Sequence, residues 1–184
     1  ISISAVDHQH GRQQFTVTAN DQQSANNLYT QTFTLTINPV NDAPLFSLSG
    51  EEVTIEEDFS DTQQVTVSPE AVPADESEQT VTYSLSPTAV DLASVSIDSS
   101  TGQVSILAVG DDNGTQVFTL TADDGQTANN LATQTFTLTI DPVNDAPDFS
   151  LSGDLTVAED FSGIQQVTVT PEAVPADESE QTVT

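Results

Sequence analysis

The sequence predicts an all-β protein made of sandwich repeats in tandem, and three observations carry that prediction. Apolar residues fall in alternating runs such as Phe33-Thr-Leu35-Thr-Ile37, the period-two pattern of a strand with one buried face. Turn formers separate the runs, at Ser99-Ser-Thr-Gly102, Gly110-Asp-Asp-Asn-Gly114 and Asp123-Asp-Gly125. Long blocks of sequence also recur at a nearly constant spacing. No segment carries a helical period.

The recurrence sets the organisation. The block Thr30-Gln-Thr-Phe-Thr-Leu-Thr-Ile-Asn-Pro-Val-Asn-Asp-Ala-Pro44 returns 103 residues later as 133–147, with Asn38 replaced by Asp141. Residues 63–82 return 102 residues later as 165–184. One residue is therefore missing in between, near Glu51-Glu52 against Asp154. A period of about 100 residues is the size of one immunoglobulin-like sandwich. The expected arrangement is the later part of one repeat in residues 1–42, a complete repeat in 43–144 and the early part of a third in 145–184. Residues 83–103 have no counterpart in either partial repeat. Starting at Ile1 rather than Met, the chain reads as a piece of something longer.

Within the complete repeat, an irregular first strand is expected near 45–57. Further strands follow near 63–68, 79–86, 94–98, 103–109, 115–122 and 133–140, each rich in Val, Ile, Thr and Phe. The inward set is Val65, Val67, Val81, Tyr83, Leu85, Val95, Ile97, Val104, Ile106, Phe118, Leu120, Phe136, Leu138 and Ile140, with the intervening threonines turned to solvent. Each partial repeat would hold about three strands with open edges and an uncovered face. Open edges invite pairing, so the two partial repeats, of one molecule or of neighbouring molecules, could dock as a composite sandwich. The duller outcome is frayed ends.

Charge narrows the function. One Lys or Arg stands against 29 Asp or Glu, a formal net charge of −28. Phosphate binding needs basic residues, and Arg12 is the only one, which speaks against nucleic acid and equally against an anionic membrane surface. Cations are the natural partner of such a surface, although a solvated acidic coat is the plainer reading. With no cysteine there is no disulfide framework and no thiolate metal site. No stretch is apolar enough to span a bilayer. No nucleophile elbow, phosphate loop or zinc pattern appears, so no enzyme is expected. His8 and His10 align with Asp111 and Asn113 and read as solvated loop residues. Asn113-Gly-Thr115 fits the short glycosylation acceptor pattern, which is weak by itself.

Four motifs, in order, give the chain a specific resemblance. They are Tyr83-Ser-Leu85, Ile97-Asp-Ser-Ser-Thr-Gly102, Ala122-Asp-Asp124-Gly125 and Asp141-Pro-Val-Asn144-Asp145-Ala-Pro147. Together they resemble the cadherin-like tandem repeats of large bacterial surface adhesins. The likeness covers the complete repeat and both partial ones. It implies a Greek-key sandwich of the immunoglobulin/cadherin-like type, and calcium held where two repeats meet. It also assigns ligands. At the later junction these are Glu57 with Asp58 beside it, then Asp141, Asn144 and Asp145 from the linker, and Asp177 from the next repeat. At the earlier junction the linker gives Asn41 and Asp42, and the repeat after it gives Asp75 and Asp124, with Glu78 a further candidate. Departures from the family pattern include Asp111-Asp112 in place of Asp-Arg-Glu, Ala146 in place of a second linker Asn, and Ser179 in place of the second Asp of Asp-x-Asp. They imply fewer ions per junction.

The chemistry suits the residues. Calcium takes six to eight oxygens in flexible geometry, and carboxylates, amides and backbone carbonyls supply them. A short linker containing proline limits backbone freedom already. Each candidate also has a plainer reading: Asn-Asp-Ala-Pro as a turn, Pro-Ala-Asp-Glu-Ser-Glu as a solvated loop, Asp123-Asp-Gly as a hairpin turn. On the resemblance, the expected function is a calcium-stiffened extender at a bacterial cell surface, projecting a distal binding region and touching neighbouring repeats of its own chain. The alternatives are a module binding polysaccharide or another cell-surface ligand, and a homophilic calcium-dependent adhesion module. An aromatic content of 5% with no Trp leaves little for a sugar to stack on.

Overall fold

The computed structural model describes residues 1–175 and 178–179. Thirteen strands follow one another along these residues. They are β1 (Gly11–Asn20), β2 (Leu28–Ile37), β3 (Phe46–Leu48), β4 (Glu52–Glu56), β5 (Gln63–Val65), β6 (Val67–Pro69), β7 (Thr82–Ser86), β8 (Ala93–Ile97), β9 (Val104–Ala108), β10 (Gly114–Asp123), β11 (Leu131–Asp141), β12 (Phe149–Leu151) and β13 (Val169–Pro171). A 3-10 turn, Ala74–Glu76, lies between β6 and β7.

β3 to β11 build one sandwich. Its first sheet runs β4-β11-β10-β7, with β4 parallel to β11 and the other neighbours antiparallel. The second runs β5-β9-β8, and the β3-β6 pair extends it because β6 continues β5 past Thr66. The first strand is thus shared out: β3 lies beside β6, then the chain crosses to the opposite sheet as β4. This is the Greek-key arrangement of an immunoglobulin-like sandwich with a split first strand. Period-two alternation explains it locally, since Phe118, Leu120 and Ala122 of β10 face inward while the threonines between them lie at half-buried positions.

The core joins both sheets. Phe118 and Phe136 are directly opposite in register and stack at 5.1 Å between ring centroids. Phe46 meets Tyr83 edge-on at 5.8 Å, and burial pushes the Tyr83 phenol pKa up. Val67, Val81, Val95 and Ile97 of the expected inward set are only half-buried, packed at the core margin, and the rest are buried. Phe46, Val53, Ile55, Ala93 and Ala122 complete the core. The alternation within the short strands β3 and β4 places the first three there, and the irregular reading of 45–57 left them out.

The turn at 98–102 closes the edge of the second sheet. The Asp98 carboxylate accepts bonds from the Ser100 hydroxyl at 2.6 Å, the Ser100 N–H at 2.8 Å and the Thr101 N–H at 3.0 Å. These bonds, the Ser100 hydroxyl first, hold its pKa down at about 2.

The flanking segments differ from expectation. Residues 11–37 form a two-stranded hairpin, not three strands, and residues 1–10 form none. The counterpart of 1–5 in the sandwich is β9, which is held between β5 and β8; residues 1–5 have neither neighbour. On the other side, β12 and β13 make a three-residue pair. The hairpin and this pair are separate sheets, and Phe15 of the one and Phe149 of the other stay 42% and 54% exposed. No helix among the described residues is long and apolar enough to cross a membrane.

Candidate functional site

The linker before the sandwich, residues 38–42, meets the loops at 74–79 and 124–130. Pro73 precedes the 3-10 turn, which rolls Glu76 inward to 5% exposure. Its Oε1 accepts the Asp42 N–H at 2.6 Å. Beside it the Asp75 side chain is 6% exposed; Oδ2 lies 3.5 Å from His10 Nδ1, while the buried Oδ1 has no hydrogen-bond partner. Asp124 follows directly on β10 and is 5% exposed.

Asn41 ties these pieces together. Its Nδ2 lies 2.9 Å from Asp124 Oδ2, 3.0 Å from the Asn129 carbonyl, 3.1 Å from the Ala128 carbonyl and 3.2 Å from the Asp42 carbonyl. An amide nitrogen has two hydrogens to give, so four oxygens crowd around two donors. Gln79 Nε2 donates to Asn41 Oδ1 at 2.8 Å, and Asn129 Nδ2 to the Asn41 carbonyl at 2.9 Å. His8 and His10 are not merely solvated: His8 Nδ1 is 3.0 Å from Asp42 Oδ2, and His10 faces Asp75.

The linker after the sandwich leaves the other end of β11. β4 and β11 run parallel and finish together. Glu57, just past β4, is 2% exposed; its N–H donates to the Asp141 carbonyl at 3.1 Å, and its Oε1 accepts the Val143 N–H at 2.6 Å. Asp145 N–H donates to Oε1 of buried Glu178 at 2.5 Å. Asn144 donates through Nδ2 to the Asp145 carbonyl at 2.9 Å. Asp58 and Asp141 are exposed. Asp177 lies outside the described residues.

The structure therefore brings Asn41, Asp42, Asp75 and Asp124 around the earlier linker, and Glu57, Asn144 and Asp145 along the later one. Among the described residues, however, no three His, Asp or Glu side chains gather closely enough to hold a metal ion. Most are turned to protein donors instead. The donor set consists of carboxylates, amides and backbone carbonyls, which fits a hard cation. Asp75 Oδ1, buried with no partner, fits one as well.

Sequence reasoning passed over Glu76 and Glu178, choosing Asp75 and Glu78 instead. The signal was present. Both glutamates follow Pro-Ala-Asp in the recurring block, and both cap the N–H of the aspartate in an Asn-Asp-Ala-Pro linker. Gln79 and Asn129 carried no such mark.

No family model and no curated protein matches the chain. Solved structures do. The neighbours include cadherin extracellular domains. The chain is similar to protocadherin gamma B2 extracellular cadherin domains 1–5, at 19% identity and a TM-score of 0.47, covering 89% of this chain and 32% of that one. It is similar to mouse cadherin-23 EC22–24, at 19% identity and 0.45, covering 87% and 54%. It is also similar to the BIgI domain of beta protein from S. agalactiae bound to CEACAM1, at 18% identity and 0.35, covering 55% and 99%. It thus spans about a third of the protocadherin gamma B2 chain and about half of the cadherin-23 chain. At such identities the likeness is one of fold, and the sandwich assignment stands on the strand topology described above.

Proposed function

We propose that the chain is a stretch of calcium-stiffened extender repeats from a bacterial surface adhesin, non-enzymatic and extracellular, with the ions held at the linkers. The repeats would run 1–42, 43–144 and 145–184. Asn41, Asp42, Asp75 and Asp124, joined by Glu76, serve the earlier junction. Glu57, Asp58, Asp141, Asn144, Asp145 and Asp177, joined by Glu178, serve the later one.

One observation carries this reading. Asp75, Glu76 and Asp124 are buried around a single linker in a chain with no lysine and one arginine, Arg12, out on β1. Removing a carboxylate from water costs several kcal/mol unless a cation or strong donors replace the water. Backbone and amide donors cover Glu76 and Asp124 in part, and Asp75 Oδ1 is left with none. A divalent ion would turn the mutual repulsion of these groups into a common attraction and gather side chains now held on separate partners. It would bind the linker to the sandwich, and binding stabilises whatever arrangement it selects. The two linkers leave opposite ends of a sandwich about 35 Å long, judged from the 11 residues of β11. A stiffened chain of such units projects outward.

Asp75→Asn tests the reading. It removes a buried charge, so without calcium it is expected to raise the unfolding temperature at pH 8, above the range in which histidines ordinarily charge. With calcium it is expected to lower the affinity by about tenfold or more, because ligand charge sets calcium affinity. Titration calorimetry and thermal unfolding in chelator measure the two effects. No heat of calcium binding to the unsubstituted chain would sink the reading.

A further inference from the structure

The loops at 6–11 and 109–114 are two copies of one turn. His8 and Asp111 both take positive φ, +58° and +64°, and Gly11 and Gly114 follow at +142° and +139°. The N–H of Gln9 donates to the Val6 carbonyl at 3.2 Å, and the N–H of Asp112 to the Val109 carbonyl at 3.4 Å. The backbone is shared, but the donors it displays are not. The later copy offers oxygen acceptors, from Asp111, Asp112 and Asn113, while the earlier one reads His8-Gln9-His10. Both of the chain's histidines are therefore spent on this one turn.

The imidazoles meet carboxylates that the linker and the 3-10 turn have set in place. His8 Nδ1 lies 3.0 Å from Asp42 Oδ2, and His10 Nδ1 lies 3.5 Å from Asp75 Oδ2. Asp42 is anchored by its N–H on Glu76. All four residues line one cleft of about 400 Å³ beside the linker. Nitrogen and oxygen ligands of one zinc ion, at bonds of about 2.0–2.2 Å and tetrahedral angles, stand about 3.4 Å apart. The two observed separations lie either side of that value. An ordinary ion pair would explain each contact singly. It does not explain Asp75 Oδ1, which belongs to a side chain only 6% exposed and has no hydrogen-bond partner. Among the described residues no third such side chain joins either pair closely enough to complete a site, so an ion has to draw the two pairs together around itself.

We propose that His8, His10, Asp42 and Asp75 form a site for a divalent transition metal of the zinc class. Imidazole nitrogen suits zinc, nickel or copper, whereas calcium takes oxygen. Two imidazoles and two carboxylates make up the four-ligand set that zinc favours. The ion neutralises Asp42 and Asp75 and gives the unmatched Asp75 oxygen a cation. It also ties the 6–11 loop to the 3-10 turn across the linker. The 109–114 loop carries no imidazole, so the later junction has no such site. The inference concerns the earlier junction of the reading above, but it does not need calcium to bind there.

Titration calorimetry of the full chain with zinc chloride tests the proposal, without calcium and at about pH 7.5, above the range in which histidines ordinarily charge. One tightly held ion per chain is expected, and the proton resonances of both imidazoles should shift together in the same titration. The double variant His8→Asp with His10→Asn installs the donors of the 111–113 loop. It should lower the zinc affinity at least about tenfold without lowering any calcium affinity. The variant keeps the turn, since Asp111 already holds the left-handed backbone in the other copy. Zinc that fails to bind, or binds the double variant as tightly as the original, overturns the proposal. So do imidazole signals that zinc leaves in place. A chain that binds calcium but not zinc defeats this inference alone, and one that binds zinc but not calcium defeats the calcium reading alone.

Discussion

Phe118→Ala is expected to lower the stability of the central sandwich by about 3–5 kcal/mol, the usual cost of deleting a large ring from a packed interior. Phe118 is fully buried, lies in the middle of β10 and stacks on Phe136 across the β10-β11 ladder. The site sits between two sheets paired along most of their length, so neighbouring side chains cannot collapse freely into the space left behind. The chain supplies its own control. Phe15 occupies the equivalent place in the β1-β2 hairpin and stacks on Phe33 in the same way, but is far more exposed. Phe15→Ala is expected to leave the main unfolding transition within about 1 kcal/mol of its original position. Denaturant unfolding followed by the near-ultraviolet signal of Tyr83 measures both. Equal losses for the two variants would mean that the hairpin and the sandwich share one core.

Gly102→Ala is expected to cost about 2–4 kcal/mol through two separate effects. Gly102 has φ of +73°, a left-handed conformation that any residue with a Cβ adopts at a cost of about 1–2 kcal/mol. A Cβ there would also lie 2.6 Å from Val67 Cγ2 and 3.0 Å from Tyr83 Cγ. Tyr83 belongs to the core and Val67 packs against its margin, so overpacking adds a comparable amount. Gly125 separates the effects, since it has φ of +78° but open space where a Cβ would sit. Gly125→Ala should cost only the conformational part. A thermal melt in which the two variants behave alike would show that β6 and β7 yield to the added methyl.

The alternation in β5 to β11 made the sandwich legible, because residues such as Phe118, Leu120, Phe136 and Leu138 carry the period-two signal in runs long enough to fix the face. The shared first strand was harder to read. Phe46 and Ile55 lie in three- and five-residue strands on opposite sheets, and no periodicity runs through the crossover between them. The flanking hairpin shows a limit of pattern reading: residues 1–5 alternate as β9 does, yet a strand needs neighbours to pair with. At the junctions, the resemblance carried by the Asn-Asp-Ala-Pro blocks and the other motifs pointed to Asn41, Asp42, Asp75 and Asp124, which the fold gathers around one linker. The resemblance offered Glu78 and passed over Glu76. A 3-10 turn after Pro73 decides which glutamate faces inward, and a strand-based reading does not anticipate that turn. The histidines were missed because their contacts with Asp42 and Asp75 depend on how the linker bends, over 30 residues away in the case of His8 and Asp42.

Small-angle scattering of the chain in calcium and in chelator, at concentrations low enough to hold it monomeric, tests the stiffening most directly. The account predicts a longer, better-defined maximum dimension with calcium and a broader, more compact distribution after chelation, with the sandwich itself unchanged. Superimposable profiles in the two buffers, at calcium levels that saturate any heat of binding, would contradict it.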